Sequence, residues 1–292
     1  MKNITGALGT AAFLMAVLAL TLGDFNRTVG LLQARLDHSE SRLLQAGPPL
    51  PNMEDLHHDI MAPSVQVNAR GSVGGGTLLC SRENHTYVVT AYHVVQKIVV
   101  ADRNGESRES VDVTIYDGRG LETDKIKGDI MAWNEKKDLA LLRLRTVRDL
   151  PNVARLASRT ALRSIRVFTP LYAVGCPLGH DPLPTLGEVA MLHKEVNGEK
   201  FWMMNAPTIF GNSGGGIFHR ETRELIGVSV MVCTYEGAVA TPVPHLGILV
   251  SMEAVYDWLD ELHYRFIYDP GCPVAACEAF PAGSTRATAF PR

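Results

Sequence analysis

Three short strings carry residue types that together can break an amide bond. Thr90-Ala91-Tyr92-His93-Val94-Val95 sets a histidine directly after an apolar strand. Lys137-Asp138-Leu139-Ala140-Leu141-Leu142 sets a carboxylate at the mouth of a very apolar one, and Gly211-Asn212-Ser213-Gly214-Gly215-Gly216 sets a serine inside a glycine turn. A serine hydroxyl is a weak nucleophile and needs a base to take its proton. Neutral imidazole does this near neutral pH, and a buried carboxylate fixes its tautomer and stabilises the imidazolium that forms. Glycines around Ser213 let the backbone turn sharply. The N–H groups of Gly211 and Ser213 are then the candidates to meet the carbonyl oxygen under attack, where one donor contributes roughly 3–4 kcal/mol to the rate. Each string alone is commonplace: a lone histidine is usually structural, a lone aspartate a turn carboxylate, a glycine run a loop. Their weight comes from their order, His93, Asp138, Ser213, at gaps of 45 and 75 residues.

The surrounding chain supplies elements to hold them. From about Met61, short runs rich in Val, Ile, Leu and Thr alternate with Gly, Asn and Asp turns. Six such runs precede residue 150: Ser64–Asn68, Thr77–Cys80, Tyr87–Ala91, Val111–Tyr116, Ile130–Trp133 and Leu139–Leu144. Six more follow: Val167–Val174, Glu188–Leu192, Phe201–Met204, Gly215–Phe218, Leu225–Val232 and Leu246–Val250. Two groups of six short strands predict an all-β domain of two six-stranded antiparallel barrels, at 61–150 and 166–250, joined through Asn152–Arg166. An amphipathic helix with Ser251 as its N-cap is predicted over 251–262. The domain as a whole is expected at 61–265, followed by a flexible tail, 266–292, rich in Pro, Gly, Ala and Thr.

Ahead of the barrels, Ile4 to Gly23 is apolar and free of charge, the length of one membrane-spanning helix. Residues 1–23 are therefore expected to be a single-pass anchor, with a cleaved signal segment as the rival reading. Residues 24–60 read as a helical stalk and linker. Val29, Leu32, Leu36 and Leu43 form a heptad-like stripe that either pairs stalks into a homo-oligomer or marks one amphipathic helix, before Gly47-Pro48-Pro49 ends it. The domain beyond the anchor is expected outside the cytoplasm.

Composition narrows the function. Net charge is −3 with no long basic run, which speaks against a nucleic-acid partner. The five cysteines form no CxxC pair and no Cys/His set with zinc spacing, so no metal or cofactor is implied. Cys272 and Cys277 are close enough in sequence to close a small disulfide loop, while Cys80, Cys176 and Cys233 read as buried small hydrophobes. The Gly-rich string Gly71–Gly76 lacks the order and the βαβ setting of a dinucleotide fingerprint.

With the strings in this order, the chain resembles the trypsin-like (chymotrypsin-fold) serine proteases, and most of all their HtrA-type branch. TAYHVV, KDLALLRL and GNSGGG look like that family's base, carboxylate and nucleophile motifs. Gly71–Leu78, Val174–Gly179 and Leu225–Val228 extend the likeness over residues 61–262. The resemblance implies a serine endopeptidase acting on protein or peptide substrates. His93, Asp138 and Ser213 would form its triad, and the N–H groups of Gly211 and Ser213 its oxyanion hole. It also implies a substrate pocket carrying Pro207, Thr208, Ser229, Met231 and Gly247. No Asp or Glu stands among these, so small or aliphatic residues are expected to be preferred over Arg or Lys. Two features depart from the pattern: the residues after 262 leave no room for the PDZ domain usual in HtrA proteins, and no Ile-Val-Gly-Gly activation terminus precedes the first barrel. Two other readings stay open. Thr208-Ile209-Phe210-Gly211-Asn212-Ser213-Gly214 also resembles the TxxGxSG motif of polyprotein-processing plant-virus proteases, and a silent pseudo-protease would keep the barrels as a binding module.

Overall fold

The computed structural model describes residues 27–35, 37, 52–103, 109–235 and 241–274. The expected anchor, Leu36 and Leu43 of the stalk stripe, and Cys277 lie outside them. The chain divides into two units, Met1–Pro51 and Asn52–Arg292. In the first, residues 27–35 and 37 are helical, as the stripe predicts. Among the described residues, no helix is long and apolar enough to cross a membrane.

The second unit is built from twelve antiparallel strands in two closed six-stranded barrels. Barrel one contains β1 (Ser64–Ala69), β2 (Ser72–Arg82), β3 (His85–Ala91), β4 (Val111–Tyr116), β5 (Glu122–Asn134) and β6 (Leu139–Leu144). Barrel two contains β7 (Pro170–Gly175), β8 (Leu183–Val196), β9 (Glu199–Met204), β10 (Gly216–His219), β11 (Leu225–Tyr235) and β12 (Thr241–Ser251). The strands run β1-β2-β3-β6-β5-β4 around the first and β10-β11-β12-β9-β8-β7 around the second. Counted from its own first strand, each barrel has the same order.

β6 shows how sequence dictates this packing. A half-buried strand alternates apolar and polar residues, whereas a continuous apolar run requires burial on both faces. In Leu139–Leu144 the odd positions Leu139 and Leu141 join the core shared with barrel two. The even positions Ala140, Leu142 and Leu144 fill barrel one. β6 is thus the seam between the barrels, and Asp138 stands at its start. On the far side, the helix Met252–Glu261 buries Met252, Val255, Tyr256 and Leu259, an i, i+3, i+4, i+7 stripe, against barrel two. The Ser251 hydroxyl accepts from Ala254 N at its start, as predicted.

All twelve predicted strands are present, two of them, Val111–Tyr116 and Leu139–Leu144, with the predicted ends and the others with altered ones. β8 spans 14 residues where only Glu188–Leu192 is predicted, because Val189 alone among its residues is buried and the others leave little apolar signal. β7 begins at Pro170 rather than Val167, because Phe168 turns left-handed, with φ of 72°. The helix Tyr92–Arg103 has no counterpart in the sequence reading. Its Val94, Val95, Ile98 and Val99 are β-branched, which obscures a helical stripe.

The domain also extends beyond both of its expected limits. The helical turns Met53–Leu56 and His57–Met61 belong to the barrel unit, with Ile60 buried. At the other end, Phe266, Ile267 and Val274 are buried although 266–292 was expected to be a flexible tail. Aromatic packing and one arginine account for this. Tyr87 of β3 meets Tyr264 and Phe266 edge-on, with centroids at 5.6 and 5.5 Å. The Arg82 guanidinium, at the end of β2, donates to the carbonyls of Phe266 (2.7 Å), Pro270 (3.1 Å) and Cys272 (2.6 Å).

Asp59 fastens the N-terminal turns. It pairs with Arg223 Nε at 2.7 Å, His58 Nδ1 at 2.9 Å and Arg155 at 3.4 Å. Burial by itself raises its carboxyl, but these partners outweigh it and hold the group below the usual carboxylate range. A folded-state value below the unfolded one stabilises the fold above about pH 4, and that contribution is lost as pH falls through the lowered value. Asp59→Asn is therefore expected to unfold at lower urea concentration than the parent at about pH 7. It is also expected to lose less stability on acidification from about pH 4 to roughly pH 2. Parallel acid slopes for the two proteins would remove Asp59 from this account.

Candidate active site

The Asp138 carboxylate organises the barrel-one half of the site. Tyr92 begins a helix directly after β3, so its first turn carries unpaired N–H groups. Asp138 meets them: its carbonyl accepts from Tyr92 N at 3.1 Å and its Oδ1 accepts from His93 N at 2.9 Å. Its other oxygen, Oδ2, lies 2.7 Å from His93 Nδ1. A carboxylate has no proton to give, so Nδ1 donates, and the neutral ring keeps its lone pair on Nε2. Asp138 is left-handed, with φ of 53°, a conformation that aspartate tolerates better than most residues. Its side chain is only 13% exposed, whereas that of His93 is 45% exposed, so the pair is shielded at the carboxylate and open at the ring.

The Ser213 turn comes from barrel two and is held by backbone bonds. Gly214 N donates to Ser229 O (2.6 Å), Ser229 N to Gly215 O (2.9 Å) and Gly215 N to Asn212 O (3.0 Å). It is also docked on barrel one, where Gly75 N donates to Ser213 O at 2.8 Å. A Cβ on Gly74 would lie 2.5 Å from Val94 Cγ2 and 2.8 Å from Ser213 O, so the glycine run in β2 exists to admit this turn beside the His93 helix. Ser213 Oγ donates to Val230 O at 3.4 Å, and no hydrogen bond joins it to His93 among the described residues.

Gly211 and Ser213 present the two expected N–H groups. Neither donates to a protein acceptor among the described residues. Gly211 has φ of 97°, and a Cβ there would lie 2.3 Å from Cys176 O, so no other residue fits without moving the adjoining loop. Cys176 is no rival nucleophile. Burial first, then the Asp181 charge, push its thiol up to about 12, and a protonated thiol attacks poorly.

The expected pocket residues are only partly brought together. A Cβ on Gly247 would lie 2.8 Å from Met204 Cε and 3.2 Å from Thr208 Oγ1, so Gly247, Thr208 and Met204 meet. Thr208 is buried and its hydroxyl donates to Ala206 O at 3.0 Å. Met231 is half-buried on β11, opposite Ile248. Ser229 is almost wholly buried and serves the Ser213 turn through its backbone. Pro207 is exposed on an open cleft of about 440 Å³ that also includes Leu186, Glu188, Arg220 and His245. Sequence reasoning missed Met204, whose place opposite Gly247 depends on the β9–β12 register. It also missed Val230, which contributes only its carbonyl.

Two comparisons bear on this arrangement. Residues 74–228 match the family described as trypsin-like peptidase domain. Protease Do-like 5, a chloroplastic protein of Arabidopsis thaliana, is 30% identical over 159 residues, covering 52% of this chain and 46% of that protein. The chain therefore spans less than half the length of this relative.

Gly214 tests the docking of the turn. It has φ of 87°, and a Cβ there would lie 2.2 Å from Gly75 O and 2.3 Å from Thr90 Oγ1. Gly214→Ala is expected to lose about 1–2 kcal/mol from the left-handed backbone alone, with further loss as Gly75 is displaced. Urea unfolding measures it, and an unchanged midpoint would contradict the contact.

Proposed function

Because the chain belongs to the family of trypsin-like peptidase domains, matching it over more than half of its length, we propose that it is a serine endopeptidase. The observation that carries this reading is the 2.7 Å contact between His93 Nδ1 and Asp138 Oδ2, beside a glycine turn that presents Ser213. In the proposed reaction Ser213 Oγ turns from Val230 O towards the imidazole and attacks the scissile carbonyl carbon. Its proton passes to His93 Nε2, and Asp138 stabilises the resulting imidazolium. The tetrahedral oxyanion accepts from Gly211 N and Ser213 N. Collapse expels the amine with the proton held by His93, leaving an acyl-enzyme on Ser213 that water hydrolyses by the same route.

The pocket reading follows from Met204, Thr208 and Gly247. These three residues carry no carboxylate, which favours alanine, valine or threonine before the cut over lysine or arginine. We also assign the charge-free run Ile4–Gly23 to a membrane tether. The name of the Arabidopsis relative supports the protease reading.

One observation favours a second reading. The Ser213 hydroxyl rests on Val230 O rather than on His93, as it would in a binding module with a silent site. Covalent labelling of the full chain with a fluorophosphonate separates the two. Labelling of the parent, its loss in Ser213→Ala and His93→Ala, and a slowing of about 10⁴-fold in Asp138→Asn are expected of the enzyme. A folded parent that takes no label would favour the silent module.

A further inference from the structure

The loop after β7 touches both Gly211, one of the candidate oxyanion donors, and the opposite barrel. Within it Leu178 is left-handed, with φ of 53° and ψ of 23°. A branched side chain in that region costs about 1–2 kcal/mol and persists only where neighbours enforce it. Leu178 gains nothing from burial, being 71% exposed. Its twist does place its N–H on Phe210 O at 2.8 Å, while Cys176 N donates to Gly211 O at 3.2 Å. The first bond grips the peptide unit that carries the Gly211 N–H, and the second grips the unit that follows it. The Cβ position of Gly211 lies 2.7 Å from Leu178 N, so the glycine is also in direct contact with the strained residue.

The enforcing groups come from barrel one. The Gln66 amide on β1 donates to Gly179 O at 3.0 Å and to His180 O at 3.1 Å. The Tyr116 hydroxyl at the end of β4 donates to Asp181 Oδ1 at 3.0 Å. Burial first, then this carboxylate, push the Tyr116 phenol far above its ordinary range, so it stays a donor at any working pH. Three hydrogen bonds thus span the barrels immediately after Leu178. Resting on the protease reading above, we infer that Gln66 and Tyr116 are positioning residues for the oxyanion hole: from barrel one they hold the Leu178 twist that fixes the Gly211 N–H on barrel two. Neither side chain touches substrate. Both act on the developing oxyanion through the loop.

Removing a whole oxyanion donor costs about 10²–10³-fold in kcat, so loosening one should cost part of that. The experiment compares the full chain with Tyr116→Phe, Gln66→Glu and their double variant. A valyl peptide p-nitroanilide reports turnover, a peptide aldehyde reports tetrahedral-adduct binding, and thermal melting reports folding. We expect kcat to fall about 10-fold in each single variant and further in the double. KM and melting temperature should stay near the parent values, and aldehyde affinity should weaken by about the factor lost from kcat. Asp181→Ala should match Tyr116→Phe, and Asp181→Asn, which keeps a carbonyl acceptor, should recover most of the loss. Unchanged kcat and aldehyde affinity in an active parent would overturn the inference. So would a loss confined to KM, or one that tracks a lowered melting temperature. A parent that neither turns over nor takes a fluorophosphonate would instead fail the protease reading itself.

Discussion

One carboxylate accepts two hydrogen bonds from the same histidine, and the site depends on that pair. Asp138 takes the backbone N–H of His93 on one oxygen and its ring Nδ1–H on the other. The first bond caps the start of the helix Tyr92–Arg103, and the second sets the ring at its mouth. The two cannot be separated: a side chain that capped the helix without a second acceptor would leave the ring free to rotate and to change tautomer. The left-handed backbone of Asp138 is part of the same constraint, since it turns the carboxylate back over the helix as β6 departs. Lys137, one residue earlier, pairs with Glu199 of the β8–β9 hairpin, so the turn carrying the carboxylate is also tied to the other barrel.

Almost every feature of the site straddles the seam between the barrels. β6 buries alternate residues on its two sides, and the Ser213 turn lies on the glycines of β2. The loop after β7 hangs from Gln66 and Tyr116. A closed barrel has no free edges and little slack, so two barrels in contact make a rigid frame. The groups that would need to act together are fixed by that frame rather than by long flexible side chains. The Ser213 hydroxyl is directed elsewhere, onto Val230 O.

The sequence made the barrels and the candidate reactive residues legible for different reasons. Strands such as Val111–Tyr116 and Leu139–Leu144 were readable to the residue because their burial is nearly complete. β5 and β8 were readable only in part, because their ends keep pairing after their side chains reach solvent. His93, Asp138 and Ser213 stand in strings whose composition makes chemical sense locally. The pocket was less legible because register decides it: Met204 reaches Gly247 only through the pairing of β9 with β12, while Ser229, equally prominent in the sequence, is turned into the core. The braces on the loop after β7 were invisible, since Gln66 and Tyr116 lie more than 60 residues from the residues they hold.

Arg82 gives the molecule a direction in time. It belongs to the second strand of the domain, yet its two terminal guanidinium nitrogens donate to carbonyls at Phe266, Pro270 and Cys272, and the ring of Tyr87 beside it waits for Tyr264 and Phe266. A ribosome delivers barrel one long before those partners exist. Throughout that interval a charged group and an aromatic face that are covered in the finished fold stand open, and the two barrels lack the strap that crosses between them. The assembled cleft between the barrels is therefore among the last things translation completes.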